Sequence, residues 1–162
     1  MQRYIKNAAV LGSGVMGSAI AAHFTNVGIP CLLLDIPDNK GKNLNGIVQK
    51  GYNTIQKTKP AAFYSTDCVS YVTLGNFQTD FHKIAEYDLI IEVVIERMDI
   101  KKEIFKKIDE YRKPLSIVAS NTSGLSVNEM IENCSDSLKE NFLGMHFFNP
   151  PRYLKLLEII PT

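Results

Sequence analysis

At 162 residues, with 45% apolar and 22% charged side chains and a formal net charge of +1, the chain fits one ordinary globular domain with a sizeable core. That balance argues against nucleic acid or a membrane surface as a partner, and no apolar run reaches the roughly 18 residues of a membrane span. Three scattered cysteines, Cys31, Cys68 and Cys134, fit neither a metal site nor a disulfide framework and point to a reducing, cytoplasmic setting. The opening residues, Met1 to Asn7, run into a short apolar stretch that ends in glycines without a cleavage site, so no secretory leader is expected.

Continuous apolar runs at 8–11, 31–34, 89–95, 116–119, 142–148 and 156–160 read as strands buried on both faces. Helical stretches alternate with them, which is the pattern of a mostly parallel sheet with crossover helices. After the first run come Gly12, Gly14 and Gly17 in the spacing G-x-G-x-x-G, then a stripe of Val15, Ala19, Ile20, Phe24 and Val27 that Gly28 and Pro30 end. Here the motif follows a strand and opens a helix, the setting in which it holds a dinucleotide. Gly12 allows the tight turn, Gly14 lets backbone approach a pyrophosphate, and Gly17 lets helix pack on strand. Val15 and Met16 lie at the helix N-terminus, where free N–H groups favour an anion, and are expected to touch the cofactor. The second strand ends at Asp35, 18 residues past Gly17. An acid there accepts from ribose hydroxyls and repels a 2′-phosphate, favouring NAD over NADP. FAD shares the glycine fingerprint, so the motif leaves the cofactor class open. The fold expected is α/β: a Rossmann-type doubly wound, mostly parallel sheet with a helical arm inserted after the second strand.

That arm, residues 39–66, contains no Asp or Glu and five lysines: Lys40, Lys42, Lys50, Lys57 and Lys59. Leu44, Val48, Tyr52 and Ile55 give it an apolar helical stripe, and Lys50 and Lys57 are two turns apart on one face. The lysines form either a solvated face or a contact for a polyanionic ligand.

The run 89–95 leads to Glu92 and Glu96 at a strand end, and Lys101 follows in a helix striped by Ile100, Ile104, Ile108 and Tyr111, with Pro114 just beyond. The run 116–119 delivers Ser120, Asn121, Thr122 and Ser123, a hydroxyl-rich loop that either orients a substrate oxygen or caps the next helix. Ser126-Val-Asn-Glu129 reads as a capping box. His146 and Glu158 lie on the last two runs, with Asn149-Pro150-Pro151 turning the chain between them. Adjacent strands would bring imidazole and carboxylate within hydrogen-bond reach, as an alcohol-oxidising base requires; the residues alone favour a structural histidine.

Taken together, "VLGSGVMGSAIA", "IIEVVIE", "ASNTSGL" and "HFFNPPRYLKLLEII" make nearly the whole chain resemble the NAD-binding domain of the L-3-hydroxyacyl-CoA dehydrogenases. The resemblance implies that His146 is the catalytic base and Glu158 its carboxylate partner, at the family's spacing of 12. It implies that Ser123 and Asn149 contact substrate and nicotinamide, that Glu96 and Lys101 line the NAD site, and that Asp35 is the ribose acid. The arm stands where the family contacts coenzyme A, which makes Lys57 and Lys50 candidates for its phosphates. The implied reaction is oxidation of an L-3-hydroxyacyl-CoA to the 3-ketoacyl-CoA. The alternatives are a dehydrogenase of another small hydroxy acid and a non-catalytic NAD-binding relative.

Some positions depart from the family. Gly124 stands where a second serine is common, and Arg97-Met98 follows Glu96 where small or neutral residues are usual. Pro150-Pro151-Arg152-Tyr153 is most similar to long multidomain members that also carry an enoyl-CoA hydratase region. The family continues with a helical substrate and dimerisation domain, so residues 1–162 are expected to be the NAD-binding domain of a longer, multidomain or homo-oligomeric protein.

Overall fold

The computed structural model describes residues 4–162; the leader reading above falls partly on residues 1–3, outside the described residues. Strands β1 (Ala8–Leu11), β2 (Cys31–Asp35), β3 (Val72–Asn76), β4 (Leu89–Glu92), β5 (Ile117–Ser120) and β6 (Phe142–Phe147) run parallel in the order β3-β2-β1-β4-β5-β6. β7 (Leu157–Pro161) joins antiparallel to β6 at the edge. The strand order reverses between β1 and β4, which opens a crevice at the C-terminal ends of those two strands.

Side chains alternate across each buried strand, so the same short runs feed two cores. Ala8, Val10, Cys31, Leu33 and Ile91 face α1 (Val15–Asn26) and α2 (Gly46–Ile55). Ala9, Leu11, Leu32, Leu34 and Ile90 face α4 (Met98–Tyr111) on the other side. Three one-turn helices, α3 (Thr66–Val69), α5 (Val127–Met130) and α6 (Asp136–Lys139), and a 3₁₀ turn over Phe81–Glu86 complete the chain. Among the described residues no helix is long and apolar enough to cross a membrane.

The α/β class, the doubly wound sheet and the arm after β2 are as the sequence predicts, and several details differ, the first being that the 156–160 run forms β7, an exposed antiparallel edge strand and not one buried on both faces. β4 stops at Glu92 rather than continuing to 95: Val93 N–H makes the last rung to Leu11 O at 2.8 Å, and β1 offers no partner further on because it ends there at the glycine turn. β3 was not anticipated: Val72–Asn76 is a half-exposed edge strand without a continuous apolar run. The predicted stripes are also turned on their helices. Val15 and Val27 are 70% and 62% exposed, while small residues such as Ala21 and Ala22 fill the α1 interface. On α4 the buried side chains are Lys101, Phe105 and Ile108, with Tyr111 exposed, because Phe105 seats edge-on against Phe142 and the lysine is paired. Half of the capping box forms: Ser126 Oγ accepts from Glu129 N at 3.4 Å, and the Glu129 carboxylate pairs with Lys102 instead.

The arm is helical over Gly46–Ile55 and buries Val48, Tyr52 and Ile55 of the predicted stripe, whereas Leu44 lies in the turn before it and is exposed. The Tyr52 hydroxyl donates to Val69 O at 2.6 Å. Gly51 lets α2 press on the glycine loop, since a Cβ there would sit 2.2 Å from Ser13 O.

Candidate functional site

The crevice is built first from backbone. Gly12 holds φ +112°, a conformation in which side chains strain, and a Cβ there would lie 2.4 Å from Val93 O. A Cβ on Gly17 would lie 1.9 Å from Gly12 O, so helix and turn touch. A Cβ on Gly14 meets nothing within 4 Å, leaving its backbone open to an incoming group at the α1 N-terminus, whose first turn carries no acid. That is the cradle a pyrophosphate needs.

Asp35, at the end of β2, closes the loop from the side. Its Oδ2 accepts from Ser13 N at 2.6 Å and Ser13 Oγ at 2.5 Å, and its Oδ1 from Ile36 N at 2.7 Å. Ser13 carried no sequence signal, being the variable residue between two glycines.

Across the crevice stands a network that sequence reading saw only in part. Glu92 and Lys101 are buried to 0% and 1% exposure and pair at 2.6 Å. Glu92 also accepts from Val94 N at 2.7 Å and from Ser120 Oγ at 2.6 Å. Lys101 reaches on to Glu96 at 3.2 Å, and Glu96 accepts from the Thr122 hydroxyl and from Ser123 N. Ser120 and Thr122 are therefore held by carboxylates, and the cap of α5 is Ser126, not the 120–123 loop. The Ser123 hydroxyl has no hydrogen-bond partner among the described residues. This wall and the glycine loop enclose a cleft of about 360 Å³ lined by Gly14, Val15, Met16, Glu96, Lys101 and Asn121.

Burial by itself would raise the Glu96 carboxyl, but the bonds from Thr122 and Lys101 outweigh it and hold it below the ordinary range. Asp88 is held low by Lys113, which pairs with it at 2.5 Å, and by Lys6 N. Both carboxyls bind protons more weakly folded than unfolded. Their stabilisation is complete near neutrality and fades as pH falls through about 4 and below. Melting temperature should drop accordingly between pH 7 and pH 3 in thermal scans, and an Asp88→Asn variant should show a shallower drop.

At the far end of the sheet, β6 and β7 set His146 directly opposite Glu158, and Nδ1 meets Oε2 at 2.8 Å. The register leaves Nε2 as the nitrogen not engaged by the carboxylate. Asn121 Oδ1 accepts from Phe147 N at 2.9 Å, tying the hydroxyl loop to the end of β6. Asn149 lies in a separate cleft between α1, the arm and the Pro150–Pro151 turn. Lys50 on α2 and Lys57 just past its C-terminal end line an open groove with Asn43, Gln49 and Asn53, and Lys50 also borders a cleft shared with Gly14 and Asp35. Val15, exposed on the first turn of α1, borders the cofactor cleft, the arm cleft and the Asn149 cleft alike.

A family model described as 3-hydroxyacyl-CoA dehydrogenase, NAD binding domain, matches residues 7–162. A probable 3-hydroxyacyl-CoA dehydrogenase of Bacillus subtilis is 52% identical over 175 aligned positions, which take in 99% of this chain and 22% of that protein. A probable 3-hydroxyacyl-CoA dehydrogenase of Deinococcus radiodurans is 44% identical over 160 positions, taking in 98% of this chain and 46% of its own length. The chain thus spans less than half the length of these relatives. The crystal structure of (S)-3-hydroxybutyryl-CoA dehydrogenase from Ralstonia eutropha superposes with a TM-score of 0.79 at 28% identity, covering 98% of this chain and 54% of that one. The glycine cradle, the acid ending β2 and the family match agree, and the chain belongs to the NAD-binding domain family of the 3-hydroxyacyl-CoA dehydrogenases.

Proposed function

We propose that this domain, within a longer protein, oxidises an L-3-hydroxyacyl-CoA to the 3-ketoacyl-CoA with NAD. The observation that carries this reading is the His146–Glu158 pair, set by strand register at the open end of a sheet whose other end of the crevice is a dinucleotide cradle. Gly12, Gly14, Val15, Met16 and Gly17 would hold the pyrophosphate, Asp35 the adenosine ribose, and Glu96 and Lys101 the far side of the cleft. Bound NAD supplies the hydride acceptor.

The chain's own residues manage the proton and the geometry. Glu158 favours the tautomer with hydrogen on Nδ1, so Nε2 keeps a lone pair to take the substrate hydroxyl proton. The carboxylate then stabilises the imidazolium. Ser123, with a free hydroxyl, and Asn149 orient the reacting oxygen. Lys50 and Lys57, in a shared groove lined by no acid, suit the phosphates of coenzyme A. The partners inferred are the acyl-CoA and, in the whole protein, further domains or copies; three free thiols suit a reducing compartment such as the cytoplasm.

The test has two arms. Saturating NAD should raise the melting temperature of the chain, by mass action on the folded state. The whole protein should oxidise NADH with acetoacetyl-CoA, and free coenzyme A should compete. Turnover of a small hydroxy acid without competition by coenzyme A would refute the thioester assignment while leaving NAD binding in place.

A further inference from the structure

We propose that Arg152 and Tyr153 are positioning residues, which latch the end of the arm to the turn bearing Asn149 and so hold the two ends of the substrate track at one spacing. The inference rests on the acyl-CoA reading of Lys50 and Lys57 given above.

The latch is specific in its geometry. Arg152 NH1 donates to Ala61 O and to Phe63 O, both at 2.7 Å, across about ninety residues of chain. Its guanidinium carbon lies 4.6 Å from the Tyr64 ring centroid and 5.1 Å from that of Tyr153. The Tyr153 hydroxyl donates to the same Ala61 O at 2.9 Å. From α1, the Asn26 side chain donates to Ala62 O at 2.8 Å and accepts from Tyr64 N at 2.7 Å. Three consecutive carbonyls of an irregular segment are thus satisfied by side chains rather than by a helix or sheet. Both bonds leave one guanidinium nitrogen while the planar group lies by the two tyrosine rings; a lysine ammonium can donate but has no planar face to hold that arrangement.

What the latch closes is the cleft of about 230 Å³ lined by Val15, Ile55, Thr58, Pro60, Asn149 and Pro151. One side of it is the arm that bears Lys57, and the other is the turn that bears Asn149. A ligand with phosphates at one end and a thioester at the other contacts both sides. Two-point binding exceeds one-point binding only while the two points keep a spacing the ligand can span. A loose arm would keep its phosphate contacts and lose that gain.

Calorimetric titration separates the two. The probes are 3′-phospho-ADP, which carries only the phosphate end, and acetoacetyl-CoA, which carries both, each titrated into the NAD-saturated whole protein. The unchanged protein should hold acetoacetyl-CoA more tightly. Arg152→Ala should cut that advantage about tenfold, with affinity for 3′-phospho-ADP and for NAD unchanged. Arg152→Lys should not restore it, and Tyr153→Phe, which loses one bond and keeps the ring, should lose less. If Arg152→Ala keeps the full advantage, the latch has no role in binding although the acyl-CoA reading stands. If it weakens both probes equally, Arg152 merely supports the arm and the proposal fails. If the unchanged protein shows no advantage, the acyl-CoA reading falls and the latch proposal with it.

Discussion

Replacing His146 by Gln should lower NADH-linked turnover of acetoacetyl-CoA in the whole protein by about 10²- to 10⁴-fold, the usual contribution of a positioned acid–base group, with NAD affinity unchanged. Glutamine keeps polarity and reach but has no nitrogen that titrates. Glu158→Gln should lose nearly as much, for a different reason. The carboxylate only accepts, and so holds hydrogen on Nδ1 at 2.8 Å. A carboxamide can turn its NH₂ toward that nitrogen, which puts the hydrogen on Nε2, where the lone pair is needed. Steady-state rates with NADH binding measured in parallel check both variants. A His146→Gln protein that retains more than about a tenth of the rate would remove His146 from the role of base.

Lys101→Met should destabilise the domain by about 3–5 kcal/mol, read as a shift in the urea midpoint without a change of slope. Methionine fills the space well, so the loss is electrostatic rather than a cavity. Glu92 is fully buried and keeps its bonds from Val94 N and Ser120 Oγ, but its charge would have no counter-ion at close range. Surface pairs such as Arg97 with Asp99 contribute far less, because water screens them. The double variant Lys101→Met/Glu92→Gln should recover most of the loss, since removing both charges removes the desolvation penalty as well. A single-variant loss under about 1 kcal/mol would mean that the pair behaves like those at the surface. Lys101→Met should also weaken NAD binding, because the same ammonium steadies Glu96 at 3.2 Å.

The parts of this molecule that were readable in sequence are those set by local pattern. Continuous apolar runs locate the buried strands β1, β2, β4 and β5, since a strand covered on both faces has no polar side to show, whereas the same pattern at β7 belongs to an exposed edge strand. Gly12, Gly14, Gly17 and Asp35 were readable because a tight turn and a strand end leave few residue choices. His146 and Glu158 were readable as a pair because their partnership depends only on strand register. Edge strand β3 was not, since half its side chains meet solvent and Gly75 interrupts it. The buried face of α4 was misjudged because isoleucines outrank a lysine in hydropathy, and only the distant Glu92 makes Lys101 an interior residue. Ser13, Thr122 and Arg152 act through partners between 22 and 91 positions away, a separation at which periodicity carries no information.

β7 has a bearing on how the His146–Glu158 pair is lost. Among the described residues it pairs with β6 only, and all five of its residues are exposed in the domain taken alone. It is held by its ladder to β6 and by Ile160 against Gly144, and an edge strand with solvent on its other side is among the first elements to open. Yet it carries Glu158, and once it frays, His146 keeps its place on β6 without the group that sets its proton. In the domain taken alone, mild denaturant should therefore part Glu158 from His146, read in the ring signals of His146, while NAD still holds at the intact β1–β4 crevice.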